Sequence, residues 1–284
     1  MSLLALNGEL SRVGNPGAGL LEIQSVSGQS TVTSVWARSP LRILIPRPRG
    51  PSVWAYLSSF GGGLVAGDET RLAINLREGA RCFLTTQGST KVYANPGRRP
   101  CGQLFRASLG PGSLLALVPD PVQAFAGASY TQCQQFHLEP DSGLVLVDWL
   151  CSGRLARGER WAFSRFESRI EVFLGSERLL LDSLLLDPSD GRLDGAHRLG
   201  RFNCLALILL LGQPLHDIAA RLIESTGDQR ITPRASLICS VSPVRTGALI
   251  RLAGERVEDV ACQIQGCLEL VPELLGDNPW LRKW

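Results

Sequence analysis

The sequence predicts a mainly β fold: a layered, solenoid-like stack of β-strands with two α-helices near the C-terminus. Three observations carry this expectation. Short apolar runs, alternating or continuous and punctuated by Gly and Pro, recur through the first two-thirds of the chain. A leucine, a Gly- or Pro-containing turn and a new apolar strand return together at a spacing near 30 residues. Apolar residues at helical spacing begin only after Gly212.

Along the chain, Leu41, Ile43 and Ile45 alternate with Arg42 and Leu44 before Pro46 ends the run. Leu72, Ile74 and Leu76 alternate with polar or small residues, as a strand with one buried face does. Leu114–Val118 and, but for Asp148, Leu144–Leu150 are apolar runs, the pattern of strands covered on both faces. Ile170, Val172 and Leu174 alternate again, and Gly175-Ser176-Glu177 turns the chain into Arg178–Asp182. The turns after Leu76, Leu109 and Leu138 resemble one another, which fits either stacked layers or ordinary hairpins sharing turn chemistry. Phe202–Leu211 is apolar apart from Asn203 and reads as a strand or a buried helix. Leu215, Ile218, Ala219 and Leu222 then predict a helix closed by Gly227. Val257, Val260, Ile264, Leu268 and Val271 predict a second, running until Pro272 disturbs it. Between the helices, Ala235–Val241 and Ala248–Leu252 read as strands. No Pro/Ser-rich linker divides the chain, so residues 1–284 are expected to form one domain.

Composition narrows the function classes. Hydrophobic residues make up 44% and charged residues 19%, against about 25% charged in ordinary soluble domains, so disorder is excluded. The longest apolar run, Cys204 to Gly212, falls well short of the roughly 20 residues a bilayer requires. The opening MSLLALNGELSRVGNP has neither a basic start nor a sustained apolar stretch, so no signal peptide is expected and the protein reads as cytoplasmic. A net charge of +3 without any basic block argues against nucleic acid. The eight cysteines have no CxxC spacing and read as buried thiols, and three histidines are too few for a His-built metal site. Lysine is scarce: Lys91 and Lys283 stand among 27 arginines.

Three motifs carry chemistry. Phe60-Gly61-Gly62-Gly63-Leu64-Val65-Ala66-Gly67-Asp68 is a glycine-rich loop ending in a carboxylate, and the acids that follow it would repel phosphate. Thr85-Thr86-Gln87-Gly88-Ser89-Thr90-Lys91-Val92-Tyr93 places hydroxyls, an amide and a rare ammonium directly after an apolar strand. In the third, Asp148 ends an apolar strand and needs a partner, which Arg154 or Arg157 could supply, while Glu159 follows Gly158 as Asp68 follows Gly67. No GxSxG elbow or Cys/His signature supports nucleophilic catalysis.

Taken together, Gly62-Gly63-Leu64-Val65-Ala66-Gly67-Asp68, Leu84–Tyr93 and Gly153-Arg154-Leu155-Ala156-Arg157-Gly158-Glu159 resemble the UreD (UreH) family of urease accessory proteins. Pro119-Asp120-Pro121 with Phe125–Ala128, and the closing Asn278–Trp284, are similar to the family as well. Ala66 departs from an expected second glycine, and Gly88-Ser89 from a commoner small apolar pair. The resemblance implies a layered β fold with two helices and a non-enzymatic role in nickel insertion into urease. It implies a complex with UreF, the GTPase UreG and the urease apoprotein, no tightly bound cofactor, and transient Ni2+ passing through an internal tunnel. It makes Asp68 and Glu159 candidates for the metal path, and Thr85, Ser89, Lys91, Asp148 and Arg154 candidates for lining or supporting it, with Gly62, Gly63, Gly67 and Gly158 shaping the loops. Two other readings stay open: a carboxylate-based glycoside-active enzyme on a β-solenoid, which 6% aromatic residues disfavour, and a purely structural adaptor. The apolar surplus is expected to lie on partner-facing surface.

Overall fold

The computed structural model describes residues 15–47, 49–95, 99–227 and 231–283. The first 14 residues, where the sequence shows no signal-peptide pattern, and the closing Trp284 lie outside the described residues. The described chain starts with β1 (Ala18–Val26), β2 (Gln29–Ala37), β3 (Leu41–Leu44) and β4 (Val53–Ser59). The first repeat unit is β5 (Glu69–Leu76) and β6 (Arg81–Thr86), followed by the short β7 (Thr90–Val92). The second is β8 (Cys101–Leu109) and β9 (Leu114–Leu117), followed by β10 (Val122–Ala124). The third is β11 (Ser129–Leu138) and β12 (Gly143–Cys151). A hairpin of β13 (Arg165–Leu174) and β14 (Glu177–Leu186) comes next, then β15 (Cys204–Leu211) and helix α1 (His216–Gly227). The chain closes with β16 (Leu237–Val244), β17 (Gly247–Gly254), α2 (Val257–Cys267), α3 (Val271–Leu275) and α4 (Trp280–Lys283).

The repeat units are layers. β5, β8, β11 and β13 pair in parallel, placing Leu76 opposite Leu109, Leu109 opposite Leu138, and Leu138 opposite Leu174. β6, β9 and β12 pair in parallel in the second sheet. The turns between the sheets stack too: the Gly110 N–H donates to Leu76 O at 2.9 Å, and the Gly143 N–H to Ser113 O at 2.8 Å. Each turn thus satisfies backbone groups of its neighbour, which isolated hairpins cannot do. The shared turn chemistry is therefore the mark of a stack.

The first sheet runs β14-β13-β11-β8-β5-β1-β2 and the second β16-β17-β15-β12-β9-β6-β4-β3, with β10 and β7 beside β12. Their facing sides bury Ile74, Phe136 and Val172 against Leu84, Leu115, Leu146 and Leu209. On the far side of the second sheet, Phe83, Val145, Val147 and Ile250 pack against Leu215, Val260, Ile264 and Leu268 of the helical segments. Burial on both faces explains the apolar runs in β9 and, Asp148 aside, in β12, whereas the first sheet keeps one open face and alternates.

The ambiguous run 202–211 is a strand: β15 pairs antiparallel with both β12 and β17. The second helix is shorter than its apolar spacing suggests. It stops at Cys267, and Pro272 sits in the first turn of the separate α3. A proline at that position lacks only an N–H that the helix start would leave unbonded, so Pro272 begins a helix rather than breaking one.

Candidate functional site

Between the two sheets lies a cavity of about 330 Å³. Its first-sheet wall includes a polar rung. Thr70, Gln103, Gln132 and Ser168 stand opposite one another across β5, β8, β11 and β13, all on the inward side. The next rungs inward are Leu72, Phe105, Gln134 and Ile170, then Ile74, Ala107, Phe136 and Val172. The polar rung, with Gln134 on the rung beside it, thus interrupts an otherwise apolar ladder. Buried polar groups are tolerated when bonded, and Gln103, Gln132 and Ser168 are. The Gln132 Nε2 donates to Ser168 Oγ at 3.1 Å, and the Tyr130 hydroxyl donates to Gln103 Oε1 at 2.5 Å and lies 3.0 Å from Gln132 Oε1.

The rung faces Asp148 on β12. Val145 and Val147 point to the helix side and Leu144 and Leu146 to the inter-sheet side, so alternation sends Asp148 inward. Its Oδ1 accepts from Gln132 Nε2 at 2.7 Å and its Oδ2 from Ser168 Oγ at 2.9 Å. Asp148 lies deep in the protein but keeps water-accessible surface, because it faces the cavity. Burial pushes its carboxyl above the ordinary 3.8; the bonds from Gln132 and Ser168 pull it down, and Asp182 pushes it up. Among the described residues it has no cationic partner. The expected pairing with Arg154 or Arg157 does not occur, because those side chains lie past the strand end, outside the inter-sheet space that Asp148 enters.

The cavity reaches outward at the second motif. Thr86, Gln87, Gly88, Ser89 and Asp120 line it and also line an outer hollow of about 810 Å³ walled by Ile43–Pro46 and Tyr56. Thr86 Oγ1 donates to Asp120 Oδ2 at 3.0 Å and accepts from the Asp120 N–H at 2.7 Å, fixing this entrance. Gly62, Ser89 and Lys91 line the cavity. Thr85 does not: strand alternation turns it the other way, and its hydroxyl donates to Val118 O at 2.6 Å. The neighbouring Thr86 takes the lining position.

The remaining candidates brace loops. Asp68 accepts from the Val65 N–H at 2.9 Å on the surface and does not line the cavity. Gly63 lies where a Cβ would meet Lys91 O at 2.6 Å, so only glycine lets this loop pair with β7 through Leu64 and Val92. Gly62, Gly67 and Gly158 have φ of 73°, 85° and 74°. Glu159 is clamped by both Arg154 nitrogens Nε and Nη2, and also accepts from the Ala126 N–H at 3.2 Å. The Arg154 guanidinium holds the Glu159 carboxyl below its ordinary 4.5. Arg154 also stacks 4.2 Å from the Phe125 ring, which meets Tyr93 edge-on at 5.3 Å, so the second and third motifs touch here. His137 stacks on Phe173 at 4.9 Å, on the open face of the first sheet.

The structure therefore divides the candidates: Asp148, Ser89, Lys91 and Gly62 at the cavity, and Asp68, Thr85, Arg154, Glu159 and the other glycines in bracing roles. Gln132, Gln103, Thr70 and Ser168 were not site candidates from sequence, and Thr86 and Asp120 stood only within motif segments. One signal existed. Thr70, Gln103, Gln132 and Ser168 each stand six residues before Leu76, Leu109, Leu138 and Leu174. A polar residue at one fixed phase of each repeat marks the rung.

Such a wall offers hard oxygen donors from a carboxylate, amides and hydroxyls. Among the described residues no group of three or more His, Cys, Asp or Glu could form a closed metal cage. A divalent cation can meet oxygen ligands here without the thiolate or imidazole set that would retain it. Glu159 is held ionised by Arg154, the opposite of what a carboxylic general acid in a glycosidase requires. No helix among the described residues is long and apolar enough to cross a membrane.

Comparison with known proteins agrees with the motifs. The family described as UreD urease accessory protein matches residues 16–284. A urease accessory protein UreD of Sorangium cellulosum (strain So ce56) is 44% identical over 276 residues, covering 96% of this chain and 86% of that protein. One from Anaeromyxobacter sp. (strain Fw109-5) is 38% identical, covering 94% and 89%. Urease accessory protein D of Arabidopsis thaliana is 32% identical, covering 92% and 99%. With a family match over nearly its whole length and relatives of this similarity, the chain belongs to the UreD family of urease accessory proteins.

Proposed function

We propose that this chain is a non-catalytic scaffold and metal conduit in urease maturation, holding Ni2+ transiently in the inter-sheet cavity on its way to the urease active site. The observation that carries the reading is Asp148, a deep carboxylate without a cationic partner among the described residues, facing a polar rung and an opening at Gly88-Ser89. Asp148 offers Ni2+ a carboxylate oxygen, and the amide and hydroxyl oxygens of the rung, with water, complete a weak shell. Lys91 at the wall keeps positive charge near the path, which favours onward movement over trapping. UreF, the GTPase UreG and the urease apoprotein are the proposed partners, in the cytoplasm; nucleotide chemistry belongs to the GTPase. Phe60 and Val65 on the glycine-rich loop, with Leu181 and Leu185 on β14, supply exposed apolar surface for them.

The test is nickel-dependent activation of urease apoprotein by the reconstituted complex carrying Asp148→Asn. A charge-assisted ligand contact is worth about 1.5–3 kcal/mol, so activation should fall at least about tenfold at limiting nickel. Full activation by an intact complex carrying Asp148→Asn would remove the conduit role and leave the adaptor reading.

A further inference from the structure

Cys151 ends β12 and stands directly opposite Cys204, the first residue of β15. Their Sγ atoms are 3.8 Å apart. The next pair along, Ser152 and Asn203, is hydrogen-bonded through the Ser152 N–H at 2.8 Å, so Cys151 and Cys204 occupy a non-hydrogen-bonded pair, where backbones approach most closely. That spacing, about 4.5 Å between Cα atoms, falls within the range a disulfide spans. Side-chain rotation has to close only about 2 Å, without moving either strand. The two thiols also differ in access: Cys151 is half-buried and Cys204 fully buried. Contact with the Cys151 thiol and burial both push the Cys204 thiol up, so it stays protonated and cannot react first.

We propose that Cys151 and Cys204 form a redox modification site that takes a peroxide as oxidant and closes into a cross-strand disulfide. The Cys151 thiolate attacks one peroxide oxygen; the O–O bond breaks, the other oxygen leaves as alcohol or water, and Cys151 becomes a sulfenic acid. The Cys204 sulfur then attacks Cys151 Sγ, the S–O bond breaks, and water leaves with the Cys204 proton. Two thiols lose two electrons in all, and the peroxide gains them. The bond ties the parallel stack to the C-terminal unit across 53 residues of chain, and it fixes the end of β12 three residues beyond Asp148. Cross-links that close long loops restrict the unfolded chain most.

The full chain carrying Cys262→Ser, which removes the exposed thiol, is treated under native conditions with hydrogen peroxide and then alkylated. The expected result is a 151–204 linked peptide, two fewer titratable thiols, and a thermal midpoint raised by about 5–10 °C, all reversed by dithiothreitol. In a chain also carrying Cys204→Ser, Cys151 should stop at a sulfenic acid that dimedone captures, with no rise in midpoint. Two results would overturn the proposal: both thiols remaining alkylatable after a treatment that oxidises Cys262 in the unsubstituted chain, or a stable Cys151 sulfenic acid while Cys204 is present.

Discussion

Asp148 and Glu159 are eleven residues apart on the same motif, yet the inter-sheet cavity and the Arg154–Glu159 loop treat a carboxylate in opposite ways. In the loop, a guanidinium clamps Glu159 and holds it ionised. In the cavity, Asp148 has only neutral donors, and burial raises its carboxyl. The compensated charge is spent on holding the loop against Phe125 and Ala126. The uncompensated one, held only by neutral donors, is open to a cation entering the cavity. Charge compensation, rather than the presence of an acid after a glycine, decides which carboxylate can do chemistry.

The sharpest way to break this contrast is to compare Asp148→Asn with Glu159→Ala in both activation and stability. Asp148→Asn should lower nickel-dependent urease activation at least about tenfold, with unfolding free energy changed by less than about 1 kcal/mol, because the amide keeps one acceptor for Gln132. Glu159→Ala should do the reverse. It frees Arg154, lowers the thermal midpoint by about 2–4 °C, and leaves more of the activation intact once the complex is assembled. Equal losses of activation from both would place the two carboxylates on one path and end the distinction.

Gln132→Ala comes next in size. Removing its amide strips Asp148 and the Tyr130 hydroxyl of partners at once, which should cost about 1–3 kcal/mol in denaturant unfolding. A neutral result would mean that water in the cavity replaces the amide fully.

Titration separates the two carboxylates by sign. Asp148 is raised above 3.8, so the stability associated with its protonated form is complete below that pH and is lost as pH rises through its folded value. Glu159 is lowered below 4.5, so its contribution is present above that pH and is lost as pH falls through its folded value. Denaturant unfolding of the unsubstituted chain should therefore converge with Glu159→Gln on acidification. Relative to Asp148→Asn it should lose stability on alkalinisation from about pH 4 upward. Slopes of the same sign would contradict the structure.

The smallest effect is expected at Asp68, which bonds one exposed N–H. Asp68→Ala should cost less than about 1 kcal/mol and barely change activation.

Sequence by itself determined the class of fold and most of its elements, because hydrophobic period is a local property. β5, β9, β12 and β17 could be read from their own residues, while the repeat leucines fitted layers and hairpins alike until the parallel pairing settled it. It also determined the family, through motifs whose order and spacing survive without knowing what they touch. Only tertiary structure decided the site. The run 202–211 became a strand because β12 and β17 flank it, and Pro272 began a helix because the chain had already left α2. Thr86 lines the cavity and Thr85 does not, through the phase of one strand. Asp148 lacks the arginine that sequence proximity offered it, because alternation sends its side chain between the sheets while Arg154 lies beyond the strand end. Gln103, Gln132 and Ser168 come from three strands, and only their common phase before the repeat leucines hints that they share a rung. Periodicity is written along the chain, but register, and with it the pairing of a buried charge, exists only between strands.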